Sequence, residues 1–415
     1  MPAKRIAKFE PVRSRQGGAA LLVLLVILLV ALAALLLKSL STSAINAARQ
    51  ENTSAALAQA KNALLGRAVS DDTIPGSLPC PDTNDDGSAE LLSGNDCPSY
   101  IGRLPWKTLG LPDLRDGSGE RFWYALSPAF RDDNSAQPLN SNTKGTLLVY
   151  QADGVSLQTQ AGYSAVAVIF APGSPLGSQT RSTVAQQNVA ANYLDNVVFP
   201  GPITRNNATV GGPFIAGAKS NTFNDQLLYI TTRDLMPLVE QRVAGYVKLA
   251  LTSYFNANGY YPWADSVSGT VDYHSDKGLN RGWLPDDATT PGPASASVDW
   301  AAGSLPPWFL PNQWYSLIYY SVAKNYSRDT LVCTSCVGNL LSVDGLNARV
   351  LFFMPGTPIP ANIAPATDRA INNLSHYLED TQNKDDANDL YVTPASKDND
   401  RDRLYWLSST GIWKP

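Results

Sequence analysis

The chain has 415 residues, a net charge of −4 and a charged fraction of only 16%. This acidic balance provides no basic footprint for nucleic acid, so nucleic-acid binding is not expected. The length suits two ordinary domains, and the 30 Gly and 29 Pro residues suit short strands joined by many turns.

The first predicted element is a helix that opens with an uncharged apolar run from Ala19 to Leu37. At about 1.5 Å per residue this run spans about 28 Å, close to the hydrocarbon thickness of a bilayer. It has no polar face to present to water, which argues against a buried core helix. Five basic residues precede it, namely Lys4, Arg5, Lys8, Arg13 and Arg15. The positive-inside tendency then predicts a single pass through a membrane, with a cytoplasmic N terminus and everything after Lys38 outside.

The segment directly before the apolar run is Arg13-Ser14-Arg15-Gln16-Gly17-Gly18. A basic leader, a glycine and then a retained apolar helix resemble the type IV prepilin-like proteins, which include pilins, minor pilins and type II secretion pseudopilins. The resemblance implies cleavage by a prepilin peptidase between Gly18 and Ala19, followed by methylation of the new terminus. Most members carry Glu at the fifth mature position, where this chain has Val23. That departure favours a tip or accessory subunit, and an ordinary signal anchor remains the alternative.

A loop after the helix carries oxygen ligands at alternate positions, with Gly87 sixth. This spacing matches the first half of an EF-hand-type calcium loop, although Ser93 replaces the bidentate Glu at the twelfth position. The predicted Ca²⁺ ligands are Asp82, Asn84, Asp86, Ser88 and Glu90. Calcium loops are also common in the resembled family. The alternative is a solvated acidic turn.

Two further loop motifs are Leu78–Asp82 and Gly102–Trp106. They resemble a subset of large prepilin-like proteins from Gram-negative bacteria. Physically, their prolines and Trp106 would hold an irregular loop against a sheet.

Four cysteines allow three pairings. Proximity along the chain favours Cys80–Cys97 and Cys333–Cys336, and an extracytoplasmic location would favour their oxidation. The second pair forms a C-x-x-C motif in a hairpin-like stretch. A redox motif normally opens a helix after a strand, so a structural disulfide is the preferred interpretation.

The chain contains a predicted internal duplication. Phe170–Leu176 matches Phe353–Ile359 at an offset of 183, with a Pro-Gly turn in each copy. Further matches occur in the same order: Trp123-Tyr124 with Trp314-Tyr315, Thr146–Val149 with Thr330–Cys333, Tyr193–Asp195 with Tyr377–Glu379, and Asn224-Asp225 with Asn399-Asp400. A helix is predicted before each copy. In the first helix, Leu57, Ala60, Leu64 and Ala68 recur at helical spacing and would face the first sheet. The second helix is predicted over Leu238–Phe255, where Val239, Val243, Val247 and Leu251 form one apolar stripe.

These patterns predict an α+β fold in which a long N-terminal transmembrane helix precedes two tandem pilin-like lobes, each a helix packed on an antiparallel sheet. The predicted organisation is a leader over 1–18, the transmembrane and pilin helix over 19–70, a first lobe over 71–235 and a second over 236–415.

The function that the resemblance implies is structural: a minor pilin or pseudopilin, at the tip or in an accessory position, of a type IV pilus or type II secretion pseudopilus. Its expected partners are other pilins or pseudopilins, the prepilin peptidase, the inner membrane and an adhesin. The alternative is a membrane-anchored periplasmic module that binds glycan or protein through the aromatic-rich second lobe, which otherwise fills a core.

Catalysis has little support in the sequence. His274 and His376 lack a partner pattern, and no phosphate loop, zinc spacing or paired helix-borne carboxylates occur. The prediction is therefore that the chain is not an enzyme. Asp398, Asp400 and Asp402 alternate with basic residues, which favours local ion pairing over a metal.

Overall fold

The computed structural model describes residues 17–415 apart from 133–136, 160–162, 178, 202, 268–272, 274, 287–294, 297–299, 301–304, 360–368, 386 and 395–400. Its α-helices are α1 (Gly17–Ser70), α2 (Val184–Gln187) and α3 (Thr232–Asn258). The strands of the first half are β1 (Ile101–Arg103), β2 (Trp123–Leu126), β3 (Val149–Tyr150), β4 (Ala165–Ala171), β5 (Asn196–Phe199), β6 (Ile203–Asn206), β7 (Phe214–Ile215) and β8 (Gln226–Thr231). The strands of the second half are β9 (Ser275–Asp276), β10 (Arg281–Trp283), β11 (Ser295–Ala296), β12 (Tyr319–Val322), β13 (Leu341–Val343), β14 (Leu346–Met354), β15 (Leu390–Tyr391), β16 (Arg403–Ser408) and β17 (Trp413–Lys414).

The first sheet has the order β1-β2-β4-β8, and all of its neighbouring strands are antiparallel. Its central strand β4 is buried along its whole length, as an apolar run covered on both faces requires. Helix α1 packs against β4 and β8 on one face. The short pairs β3-β7 and β5-β6 lie outside this sheet.

The second sheet has seven strands. β12 and β13 pair antiparallel with different parts of β14, β10 pairs with β12, and β16 lies on the other side of β14 with β17 beyond it. β13 and β15 pair in parallel, so this sheet is mixed.

The two large sheets share a strand order, because β1-β2-β4-β8 corresponds to β10-β12-β14-β16. Phe170 on β4 pairs with Trp123, and Phe353 on β14 pairs with Tyr319. Trp123 therefore corresponds to Tyr319. The predicted match of Trp123 with Trp314 is wrong, because Trp314 begins a 3₁₀ helix that precedes the strand.

The loops that lead into the two sheets also correspond. Asp82 forms a bridge with Arg103 at the end of β1, and Asp265 forms the same bridge with Trp283 at the end of β10. A Cβ atom on Gly282 would lie 1.7 Å from the carbonyl oxygen of Asp265, so this crossing requires a glycine.

Helix α3 begins where β8 ends. The Thr231 hydroxyl and the Asp234 carboxylate form a capping box, and Gly259 ends the helix with φ 77°. The helix is longer than predicted and includes Pro237. The predicted boundary between residues 235 and 236 falls inside it.

The predicted transmembrane helix and the single-pass inner-membrane location are wrong: among the described residues, no helix is long and apolar enough to cross a bilayer.

The rest of the predicted fold class is also wrong, since the halves are not two lobes that each place one helix on an antiparallel sheet. Helices α1 and α3 pack against each other as well as against β8. One core cluster extends from Leu57 on α1 to Leu407 on β16. The second sheet is mixed and larger than the first. The chain therefore forms a strand-rich body with a core common to both halves.

Candidate functional site: the apolar segment of helix α1

Residues 21–32 of α1, here called the apolar segment, present their side chains to solvent. The exposed fractions of the large apolar side chains in this segment lie between 49% and 71%. Only Ala31 interrupts a run of Leu, Val and Ile. Isolated exposed apolar residues are common on proteins, but an uninterrupted apolar surface of this extent marks an interaction site.

The opposite end of α1 is anchored in the body. Leu57, Ala60, Leu64 and Ala68 recur at helical spacing, and all are buried in the main core. Residues 43–52 are exposed, and Thr53 is the first buried residue after them. Helix α1 therefore has a buried C-terminal part and an exposed N-terminal part.

Polar contacts fix the anchored part. Lys61 forms an ion pair of 2.9 Å with Asp234 at the start of α3. The Arg242 guanidinium on α3 donates hydrogen bonds of 2.6 Å to the carbonyl oxygens of Val69 and Asp71 at the end of α1. The Val69 carbonyl belongs to the last turn of α1, whose carbonyls lack a partner within the helix, and Asp71 directly follows the helix, so α3 satisfies the backbone at this end.

The apolar segment is apolar around its circumference. Such a helix is stable in an aqueous compartment only when other apolar surface covers it. The predicted processing residues Gly18 and Ala19 lie in the first turn of α1, two residues before this segment.

The predicted calcium loop is held by its own hydrogen bonds. Asp82 is buried, and its carboxylate accepts N–H hydrogen bonds from Asn84, Asp85 and Gly87. Burial raises the pKa of Asp82, although these hydrogen bonds oppose the shift. The side chain at the first predicted ligand position is thus engaged by backbone donors.

The other predicted ligands also have partners. Asn84 and Asp86 accept hydrogen bonds from the N–H groups of Asp86 and Ser88. Glu90 accepts two hydrogen bonds from Thr83. No group of three His, Cys, Asp or Glu that could hold a metal occurs in the described part of the chain. The arrangement accounts for the loop without an ion, and calcium binding stays a prediction.

Both cysteine pairs form disulfides, Cys80–Cys97 and Cys333–Cys336. The first pair is buried and joins the two ends of the acidic loop region. The loop of the second pair is fixed by Asp389, whose carboxylate accepts the N–H groups of Val337 and Gly338.

Five tryptophans of the second half are buried, with exposed fractions of 0–4%: Trp263, Trp283, Trp300, Trp308 and Trp314. They fill the core and form no exposed aromatic platform. His376 contacts Asn373 in a surface turn, and His274, Asp398 and Asp400 lie outside the described residues.

A buried pair of carboxylates was missed by the sequence analysis. Asp195 accepts the N–H groups of Asn224 and Asp225, and Asp225 in turn accepts the N–H group of Asp195. Burial raises the pKa of Asp225 well above its usual value, and the charge of Asp195 adds to this effect. The pair joins a loop to the start of β8.

The second half contains a corresponding pair. Asp402 accepts the N–H group of Glu379, and Glu379 accepts the N–H groups of Arg401 and Asp402. Asp225 and Asp402 each directly precede the last long strand of their sheet. The sequence match of Asp195 with Glu379 was a signal that the two halves carry corresponding acids. The sequence analysis matched Asp225 with Asp400 and not with Asp402, so Asp402 was not identified as the second acid of this pair.

Comparison with known proteins gives no match: no protein-family model, curated protein or solved structure is similar to the chain. The candidate site therefore depends on its own geometry and on the leader-like sequence before it.

Proposed function

We propose that the chain is a structural subunit of a helical filament, a minor pilin or pseudopilin of the type IV pilus or type II secretion class. The supporting observation is the exposure of the apolar segment, at the far end of a helix anchored in a folded body. In the proposed assembly, corresponding helices of neighbouring subunits cover this surface.

The physical basis of this assembly is burial of apolar side chains. Removing about 100 Å² of apolar surface from water is worth about 2.5 kcal/mol, and eleven large apolar residues contribute from this segment. The driving force is therefore ample even after the entropy lost on association. Val23 at the fifth position after Gly18 lacks the usual charge, which fits a tip or accessory place better than a repeating one.

No observation favours the alternative binding module. Most of the aromatic side chains on which it depended are in the core, and Tyr260 and Tyr315 are half-buried against it.

The experiment that tests this proposal is the intact mass of the protein produced with and without a prepilin peptidase. We expect loss of residues 1–18 and a methyl group on Ala19 only when the peptidase is present. A Gly18→Leu variant serves as the control, because a bulky residue at the cleavage position should prevent processing. An unchanged mass of the unaltered chain under both conditions would contradict membership of the class.

A further inference from the structure

Helix α1 enters the body at Thr53, which is buried and follows an exposed stretch of the helix. Its Oγ1 atom donates a hydrogen bond of 2.8 Å to the Arg49 carbonyl oxygen and accepts one of 2.9 Å from the Gly117 N–H group. Gly117 lies in the loop between β1 and β2. One hydroxyl group therefore joins the backbone of this loop to the helix.

The two backbones lie so close together that a side chain at position 117 has no room. A Cβ atom on Gly117 would lie 2.4 Å from the Arg49 carbonyl oxygen, whereas ordinary van der Waals contact begins near 3.4 Å. The obstacle is helix backbone, which cannot rotate aside as a flexible side chain can. The φ angle of Gly117 is not positive, so space and not conformation requires the glycine here.

The loop that carries Gly117 is itself fixed to the first sheet. Asp116 is buried, and its Oδ1 atom accepts the N–H groups of Ser118 and Glu120. Its Oδ2 atom accepts the N–H group of Gly173, in the turn that follows the central strand β4. Because one carboxylate ties the loop to this turn, α1 lies against a rigid surface.

A second contact holds the same part of the helix to strand β8. The Gln50 side chain donates a hydrogen bond of 2.5 Å to the side chain of Gln226, the first residue of β8. Residues 43–52 are exposed. The first sheet therefore begins to hold the helix over residues 49–53, and the apolar segment extends beyond this point.

A small movement at Arg49 becomes a larger movement of the apolar segment. At about 1.5 Å per residue, Arg49 lies about 16 Å along the helix from the buried Ala60, and Leu32 lies about 42 Å from it. If α1 turns about Ala60, a displacement of about 1 Å at Arg49 moves Leu32 by about 2.5 Å. Close-packed interfaces respond to changes of one methylene group, so such a shift would misalign the segment with neighbouring helices.

We propose that Gly117 and Thr53 form a positioning contact that sets the direction in which α1 carries its apolar segment away from the body. The absence of a side chain at Gly117 admits the helix backbone, and the Thr53 hydroxyl fixes the helix in that place. The consequence for assembly rests on the proposed filament function, whereas the direction of α1 can be measured on the isolated chain.

The test measures two distances by double electron–electron resonance on the full chain in detergent. Nitroxide labels are attached at Leu32→Cys and at one of two exposed reference positions, Val198→Cys or Leu238→Cys. Two references are needed because a single distance stays constant when the helix turns around its reference. Dilution with unlabelled chain restricts the signal to distances within one molecule.

Gly117→Ala forces the two backbones apart by about 1 Å, so at least one mean distance should change by about 2 Å or more. Thr53→Val removes the hydroxyl at nearly constant shape and should broaden both distance distributions, whereas Thr53→Ser keeps the hydroxyl and should leave them narrow. Gly66→Ala is the matched control. It adds the same methyl group to α1 where nothing beyond the adjacent helix backbone lies within 4 Å in the described part of the chain, so both distances should stay unchanged.

The thermal unfolding midpoint of each variant shows whether the body has folded. Unchanged distances in folded Gly117→Ala, or equally narrow distributions for Thr53→Val and Thr53→Ser, would overturn the proposal whether or not the chain enters a filament. In cells that assemble the filament, Gly117→Ala should be incorporated less than Gly66→Ala, and equal incorporation would overturn the role in assembly. Absence of the unaltered chain from filaments would instead refute the proposed function and leave the measured direction of α1 in force.

Discussion

Asp225 is a buried carboxylate whose pKa is raised well above its ordinary value, mainly by burial. Its Oδ2 atom accepts hydrogen bonds from Asp195 and Asn207, whereas no group in the described part of the chain forms a hydrogen bond with its Oδ1 atom. A buried carboxylate near another carboxylate favours its protonated form. The first sheet therefore depends on a side chain that resists ionisation.

This environment predicts a pH dependence of stability. Because the folded-state pKa of Asp225 is raised above its ordinary value of 3.8, the native state binds the proton more tightly than the unfolded state. The contribution of Asp225 to stability is present below about pH 4 and is lost as pH rises through the raised pKa.

Asp225→Asn removes this titration, so its free energy of unfolding should fall less between pH 4 and pH 7 than that of the unaltered chain. Urea unfolding at several pH values measures the difference. Asp72→Asn, at a carboxylate with 92% exposure, is the control. Identical pH profiles for Asp225→Asn and the unaltered chain would refute the assignment.

At the scale of elements, the two disulfides close loops of different length. Cys80 and Cys97 are 17 residues apart, and Cys333 and Cys336 are 3 apart. The longer loop restricts the unfolded chain more, so its disulfide should contribute more stability.

Replacing both cysteines of a pair by serine should lower the free energy of unfolding by about 3 kcal/mol for Cys80 and Cys97, and by about 2 kcal/mol for Cys333 and Cys336. Urea titration of the two double variants under oxidising conditions gives the comparison, and the fully reduced chain is the reference. A larger loss from the C-x-x-C pair would show that loop length does not govern their contributions.

Helical spacing predicted much of what the structure places in the core. The stripe from Leu57 to Ala68 on α1 and the stripe from Val239 to Leu251 on α3 are both buried. These stripes were readable because apolar side chains every three or four residues require a partner surface. The pairing of β13 with β15 had no such signal, since strands of three and two residues carry too little periodicity.

The candidate site was only partly readable from the sequence. The apolar run is plain in the composition of residues 21–32, but its surroundings are set by the fold. The reciprocal hydrogen bonds of Asp195 and Asp225 join residues 30 positions apart. Contacts of this kind depend on tertiary structure and leave no local pattern.

At the scale of the whole molecule, a strand-rich body carries an exposed helix. Both halves share one core. The buried Glu240 on α3 accepts hydrogen bonds from Ser141 in the first half and Arg403 in the second, so α3 is joined to both parts of the chain. Such a body can hold α1 in one orientation while its apolar segment contacts neighbours. Assembly is therefore the proposed role of α1, and rigidity is the proposed role of the body.

The most direct test of this account is photo-cross-linking from the apolar segment. With p-benzoylphenylalanine in place of Leu28, in cells that assemble the filament, we predict cross-links to α1 of neighbouring subunits, identified by mass spectrometry. The same probe at Leu91, an exposed leucine on the body, is the matched control and should not reach those helices. If position 28 gives no subunit cross-links in assembled filaments, the apolar segment does not join subunits and the central claim fails.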